Sequence, residues 1–223
     1  MVRFPTTSWS MVIAAGGNPS ALAALCRAYW RPVHDYILSE GHGADNAPDL
    51  TQEFFSRLIE KKYSAQADRE RGRFRSFLLA SVKHFLLDDA RNARTKRRGE
   101  GRALLPLEFE TDRHDRLEPR DDLTPDRVFE RRWAFTVMDR ALLRLRTEKH
   151  FAQLKPFLIG DSPGMPYSRL ATELGVSEGV VKTKVHRLRK KYGELLRAEI
   201  AQTVESADEV EEELRYLLAV ISA

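Results

Sequence analysis

The sequence predicts an all-α protein of two helical domains joined by a linker, followed by an acidic C-terminal helix. Apolar residues recur at three- and four-residue steps through most of the chain, the spacing that lines one face of a helix. Over residues 99–123 that spacing stops, and glycine, proline and charged residues dominate. From residue 205 to 223, six acidic residues and one arginine accompany a new apolar stripe. We expect an N-terminal extension over 1–19, a first domain over 20–98, a linker over 99–123, a second domain over 124–202 and an acidic helix over 203–223.

The composition narrows the class of protein. A chain of 223 residues suits one or two domains, and its formal net charge of +4 is modest, so the placement of the charges is more informative than their sum. The single cysteine, Cys26, excludes an internal disulfide framework. There is no Cys/His set with zinc-ligand spacing, no glycine-rich phosphate loop and no nucleophile elbow. We therefore expect no metal, no cofactor and no enzymatic activity.

The apolar runs are too short for a membrane protein. None approaches the roughly 20 residues that span a bilayer. The N-terminal apolar patch is also too weak for a secretory signal. We expect a cytoplasmic protein that does not insert into membranes.

The first domain should begin with two amphipathic helices. Ser20 is a good N-cap for a helix over 21–39, which Pro32 should kink or split. A second helix over about 48–61 has an acidic first turn that suits the helix dipole. Its buried stripe should comprise Leu50, Phe54, Leu58 and Ile59.

A strongly basic segment over 69–98 closes this domain. It contains ten basic and three acidic residues around an apolar stripe, and it reads as one long helix. One side can pack into the domain while the other meets a polyanion. A solvated charged side is equally compatible with this segment taken alone. The stripe comprises Phe74, Phe77, Leu78, Val82, Phe85 and Leu86.

The second domain contains a helix-turn-helix pattern. A first helix should start at Thr124-Pro125, an N-cap followed by proline, and continue to about His150. Over 167–192 the chain predicts a short helix, a left-handed turn at Gly175, an N-cap at Ser177 and a second helix. Four residues of that second helix should face inward: Val181, Val185, Leu188 and Tyr192.

The outer side of this second helix is basic. Residues 178–197 include seven basic and two acidic residues. A helical hairpin of another kind can mimic the pattern, but the charge favours DNA binding because cations neutralise phosphates. His186 points outward, which fits DNA contact or solvation better than metal binding.

The acidic helix over 203–223 has two interpretations. It can pack on the helix-turn-helix domain for stability. Alternatively, it can screen the basic side of that domain and weaken DNA binding, in which case deletion of residues 205–223 should tighten binding in a gel-shift assay.

Three motifs, taken in order, resemble a bacterial RNA polymerase sigma factor of the extracytoplasmic-function (ECF) type, which keeps only the second and fourth conserved regions. The segment APDLTQEFF over 47–55 resembles region 2.2, residues 77–98 resemble regions 2.3–2.4, and residues 167–192 resemble region 4.2. The resemblance covers roughly residues 20–98 and 125–200. It implies a sigma region 2-like first domain and a region 4-like second domain.

The resemblance also implies roles for particular residues. The partners would be core RNA polymerase, through its beta-prime and beta subunits, promoter DNA, and an anti-sigma factor or other regulator. The residues expected to contact the polymerase are Asp49, Gln52 and Glu53. Those expected at the promoter −10 element, where the non-template strand is opened, are Arg73, Arg75, Lys83, His84, Asp88, Arg91 and Arg94, with the 62–73 loop holding a flipped base. Those expected at the −35 element are Lys182, Thr183, His186, Arg187 and Lys190.

Two departures from the family pattern limit this transfer. The family often has Arg-Asn where this chain has Lys83-His84, so its base preference does not carry over. The usual Leu-Pro-x-x-x-Arg approach to region 4 is replaced by FAQLKPFLIGDSPGMPY. The alternatives are an autonomous helix-turn-helix regulator, which would bind duplex DNA without polymerase, and a helical adaptor protein.

Overall fold

The computed structural model describes residues 28–60, 73–95, 123–158, 166–204 and 206–222, together with Ser20 and Cys26. The side chains of residues 60 and 92–95 lie outside this description. Every regular element in the described residues is helical, which confirms the predicted all-α class. The elements are α1 (Trp30–Ser39), α2 (Ala47–Glu60), α3 (Phe74–Thr95), α4 (Pro125–Leu145), α5 (Phe151–Leu154), a 3₁₀ turn (Lys155–Phe157), α6 (Tyr167–Leu174), α7 (Glu178–Ile200) and α8 (Ala207–Ser222).

The chain forms two compact units that do not coincide with the domains expected from the sequence. Unit 1 combines residues 1–136 with 201–223, and unit 2 comprises residues 137–200. The first part of α4 therefore belongs to unit 1 and its last part to unit 2. The predicted linker over 99–123 falls outside the described residues except for Leu123.

The core of unit 1 is rich in aromatic residues. Phe54 of α2 packs edge-on against Phe85 of α3, with ring centroids 5.6 Å apart, and Tyr36 of α1 packs edge-on against Phe129 of α4. Helix α1 begins at Trp30, so Pro32 occupies its first turn, where a missing N–H group costs little. The apolar stripe predicted for the basic helix is buried from Phe74 to Phe85. That helix starts at Phe74 rather than at residue 69.

An ion pair inside unit 1 fastens α4 to α1. The Arg132 guanidinium, which is 6% exposed, donates to the Asp35 carboxylate. Burial raises the pKa of Asp35, but the hydrogen bond with His34 and the charge of Arg132 outweigh that effect, and the pKa falls below its usual value. The carboxylate is therefore held in its charged form.

The acidic helix α8 packs within unit 1, whereas the sequence led us to expect packing on the helix-turn-helix domain. Its stripe of Val210, Leu217 and Val220 is buried, and the Tyr216 ring lies 6.4 Å from that of Trp133 in α4. The helix begins with a capping box, because the Ser206 hydroxyl accepts from the Glu209 N–H while the Glu209 carboxylate accepts from the Ser206 N–H.

Unit 2 is built around α7. Its predicted inward residues are all buried, from Val181 at 0% exposure to Tyr192 at 8%. The buried Glu199 near the end of α7 accepts hydrogen bonds from Arg140 and Arg144 of α4. These contacts fix the helix that carries the predicted DNA-binding residues.

Candidate nucleic-acid and polymerase interfaces

The three residues predicted to bind polymerase lie together on α2. Asp49 is exposed in the first turn, and Gln52 and Glu53 are partly exposed beside it. Glu53 also forms an ion pair with Arg57 one turn later, which orients its carboxylate. The opposite side of α2 is buried through Phe54 and Phe55, so the acid and amide groups face away from the core. Such a surface complements a basic partner.

The first two predicted DNA-binding arginines contact acidic residues inside unit 1. Arg73 precedes α3, and its guanidinium bonds Glu213 at 2.7 Å and also Glu212, both on α8. The Phe74 N–H donates to the Thr203 carbonyl at 3.0 Å, which satisfies one of the donors exposed at the start of α3. The chain just before α8 thus caps the helix predicted to meet the −10 element.

Arg75 lies inside unit 1 rather than on its surface. It is 9% exposed, pairs with Glu213 and Glu130 at 3.2 Å each, and stacks over the rings of Trp133 and Tyr216. Burial and a hydrogen bond to Glu130 raise the pKa of Tyr216 to about 12. This environment is that of a cation that stabilises packing between helices.

The middle of α3 is more exposed. Lys83 pairs with Asp126 of α4 at 2.7 Å, and both side chains are about half exposed. His84, Asp88 and Arg91 are exposed, with Asp88 and Arg91 paired at 3.5 Å. The side chain of Arg94 and residues 62–72 of the predicted base-holding loop are outside the described residues.

The helix-turn-helix geometry in unit 2 follows the prediction. Gly175 adopts φ 64°, ψ 34°, the left-handed conformation that glycine accommodates without strain. The N–H groups of Gly175 and Val176 donate to the carbonyls of Thr172 and Ala171, the pattern of a Schellman motif. Helix α7 then begins at Glu178.

The outer side of α7 presents all five predicted −35 residues to solvent. Lys182 pairs with Glu178 at 2.8 Å, and this hydrogen bond raises the pKa of Lys182. The Thr183 hydroxyl donates to the Gly179 carbonyl at 3.0 Å. Within the part of the chain that the structure describes, the remaining three make no ion pair: His186, Arg187 and Lys190.

Two exposed apolar residues on these surfaces were missed by sequence reasoning. Val180 is 43% exposed in the first turn of α7, and Leu87 is 56% exposed on α3. A helical wheel could have found both, because Val180 lies three residues before Thr183 and Leu87 lies three residues after His84. Apolar periodicity by itself identifies core positions, so it does not single out apolar residues on the outer side of a helix.

The described residues contain neither a metal-binding cluster nor a membrane-spanning helix. No cluster of three or more His, Cys, Asp or Glu side chains there could hold a metal ion. No helix among those residues is long and apolar enough to cross a membrane.

The fold contains a helix-turn-helix whose second helix has an exposed cationic side, an arrangement typical of DNA-binding proteins. A family model described as ECF sigma factor matches residues 17–213, and the chain belongs to that family of transcription initiation factors. It is thus a sigma factor of bacterial RNA polymerase, and the family's partners are RNA polymerase and promoter DNA.

Individual relatives are moderately similar. The ECF RNA polymerase sigma factor SigE of Mycolicibacterium smegmatis is 28% identical over 199 residues, covering 88% of this chain and 70% of the relative. The ECF RNA polymerase sigma factor SigC of Mycobacterium tuberculosis and the probable RNA polymerase sigma-C factor of Mycobacterium bovis are each 31% identical over 180 residues, covering 79% of this chain and 83% of the relative. No solved structure matches the chain significantly.

Proposed function

We propose that this protein is a dissociable specificity subunit that directs core RNA polymerase to promoters by binding the −35 element through α7 and the −10 element through α3. The observation that carries the proposal is the exposed cationic side of α7, presented by a helix-turn-helix in a chain of the ECF family. In such motifs the second helix enters the major groove and its N-terminal residues contact base edges.

The −35 contacts divide by chemistry. Arg187 can make a bidentate contact to a guanine edge, and His186 and Thr183 can donate or accept at base edges. Lys182 and Lys190 are suited to phosphate contacts. An ammonium group is a compact charge and lacks the planar set of donors with which arginine makes bidentate contacts to a base. Val180 adds an apolar group next to Thr183, suited to a thymine methyl.

The −10 contacts are proposed for the exposed part of α3. His84, Asp88 and Arg91 can contact an opened strand. Lys83 can join them once its ammonium group exchanges the Asp126 carboxylate for a DNA phosphate. Arg75 is proposed to support α3 from inside unit 1. Arg73 is proposed to reach a phosphate, and Arg94 remains a predicted contact on the basis of sequence.

Polymerase binding is proposed for Asp49, Gln52 and Glu53 on α2, against the beta-prime subunit. An anti-sigma factor or another regulator is a further proposed partner. No residue is assigned to it.

The direct test is transcription in vitro from genomic DNA fragments by purified core RNA polymerase, with and without the protein. We expect discrete transcripts that depend on the protein and that map its promoters. Duplex DNA binding without polymerase, with no new transcripts, would favour an autonomous regulator instead.

A double variant tests the polymerase surface. Asp49→Ala with Glu53→Ala should weaken binding to core polymerase, because it removes two carboxylates from the proposed contact. Asp45→Ala, an exposed acid that precedes α2, is the control. Pull-down with core polymerase measures both, and equal binding by all variants would contradict the assignment.

A further inference from the structure

Arg73 is held by two carboxylates in a forked arrangement. Its Nη1 lies 2.7 Å from Glu213 Oε1, and its Nη2 bonds Glu212 Oε2. One carboxylate oxygen on each terminal nitrogen engages the same two nitrogens that a guanidinium can offer to a phosphate. The carboxylates of α8 therefore bind the Arg73 guanidinium, the group that we propose contacts promoter DNA.

The two glutamates differ in how tightly they are bound. The Glu213 side chain is 1% exposed and also pairs with Arg75, so it is part of the packed core of unit 1. The Glu212 side chain is 55% exposed, and its pair with Arg73 is at the surface. Surface pairs are weak and readily exchanged, which makes Glu212 the partner that a phosphate can displace.

We propose that Glu212 competes with DNA for Arg73, so that α8 weakens promoter binding until a DNA phosphate replaces the Glu212 carboxylate. This inference rests on the proposed function. It also changes where the acidic helix acts: the contact that α8 makes in unit 1 is with the start of α3, whereas the sequence suggested screening of the helix-turn-helix domain.

The competition has a thermodynamic signature. Binding of a cation to duplex DNA releases counterions, about 0.9 per phosphate neutralised, or about 0.7 on a single strand. When a phosphate displaces Glu212, the released carboxylate attracts a cation and offsets part of that release. The salt dependence of binding by the wild-type protein should therefore be shallower than that of a variant without this carboxylate.

The test compares two isosteric variants on the same helix. Glu212→Gln removes the competing charge, and Glu211→Gln removes the same charge one residue earlier, at another exposed position. Each is assembled with core polymerase, and its affinity for a promoter fragment that the wild-type holoenzyme transcribes is measured from about 50 to 200 mM salt. We expect Glu212→Gln to bind about two- to fivefold tighter with a steeper salt slope. Glu211→Gln should change binding less.

A double-variant cycle distinguishes the Arg73–Glu212 ion pair from the general electrostatic effect of removing one negative charge. In an Arg73→Ala background, Glu212→Gln should no longer tighten binding. The Arg73 guanidinium, which loss of the Glu212 charge would otherwise make available to DNA, is absent from that background. Thermal unfolding of every variant verifies that unit 1 remains folded. Equal effects of Glu212→Gln and Glu211→Gln, or a Glu212→Gln effect that persists without Arg73, would overturn the inference and leave the proposed function intact. If the wild-type holoenzyme yields no promoter-specific transcript from any genomic fragment, both the inference and the proposed function are overturned.

Discussion

Helices α3 and α7 are both proposed to bind DNA, but the lysines and arginines of the two helices have different surroundings. On α3 and at its start, Arg73, Arg75 and Lys83 pair with acids on α8 and α4. On α7, Arg187 and Lys190 are exposed and make no ion pair with the described residues. Positive charge in unit 1 therefore contributes to holding the fold together, whereas on the outer side of α7 it is available to a ligand.

The buried glutamates sharpen the contrast. Glu213 in unit 1 contacts arginines whose side chains are 26% and 10% exposed. Glu199 in unit 2 contacts arginines that are 44% and 53% exposed. Loss of Glu213 would affect two arginines that water reaches poorly, whereas the two arginines that contact Glu199 are well hydrated.

The largest expected effect is on stability. Glu213→Ala should lower the free energy of unfolding by about 2–4 kcal/mol, because it breaks a buried ion-pair network and, among the described residues, leaves Arg75 with Glu130 alone and Arg73 with Glu212 alone. Glu199→Ala should cost less, about 1–3 kcal/mol, because its arginines remain hydrated. Urea unfolding followed by tryptophan fluorescence reports unit 1 through Trp30 and Trp133, and circular dichroism reports both units. Similar losses of unfolding free energy in Glu213→Ala and Glu199→Ala would contradict the proposed difference between the two buried glutamates.

The second expected effect is on promoter binding. Arg187→Ala should reduce promoter affinity of the holoenzyme by about 1–3 kcal/mol if its fork contacts a base, and it should leave the unfolding midpoint unchanged. Arg197→Ala, near the far end of α7, is the matched control. Fluorescence anisotropy at fixed salt measures both. An unfolding midpoint lowered by Arg187→Ala would show that α7 also uses this cation for folding.

The smallest expected effect concerns a single methyl group. Replacing thymine by uracil in the −35 element removes only the C5 methyl, and at one position this should weaken wild-type binding by up to about 0.8 kcal/mol. In a Val180→Ala variant that penalty should disappear. Leu218→Ala, which truncates an exposed apolar residue of α8, should retain it. A penalty that survives in Val180→Ala would assign the methyl contact to another residue.

The local structure of unit 2 was predictable because short-range rules determine it. Gly175 had to adopt a left-handed turn, and the spacing of Val181, Val185 and Leu188 placed the basic residues on the outer side. The ends of the helices were less predictable. Helix α7 continues to Ile200, beyond the expected pattern, because Leu196 and Ile200 extend its buried stripe.

The packing of α8 was not predictable from the same rules. Its apolar stripe requires a partner surface but does not specify which one. The choice depends on pairs such as Arg73 with Glu213, which are 140 residues apart in the sequence. A count of positive charges in 69–98 likewise cannot distinguish Arg75, which packs against Trp133, from Arg91, which is exposed.

The hydrogen bond from Phe74 to Thr203 has a consequence for biosynthesis. Unit 1 is assembled from two stretches of chain that flank unit 2, so a ribosome must translate residues 137–200 before the segment that completes unit 1 exists. Unit 2 is continuous in the chain, so all of its residues are synthesised before residue 201. A nascent chain arrested before residue 201 would lack the Thr203 cap of α3 and the α8 glutamates that pair with Arg73 and Arg75, and quality-control proteases would encounter an incomplete domain.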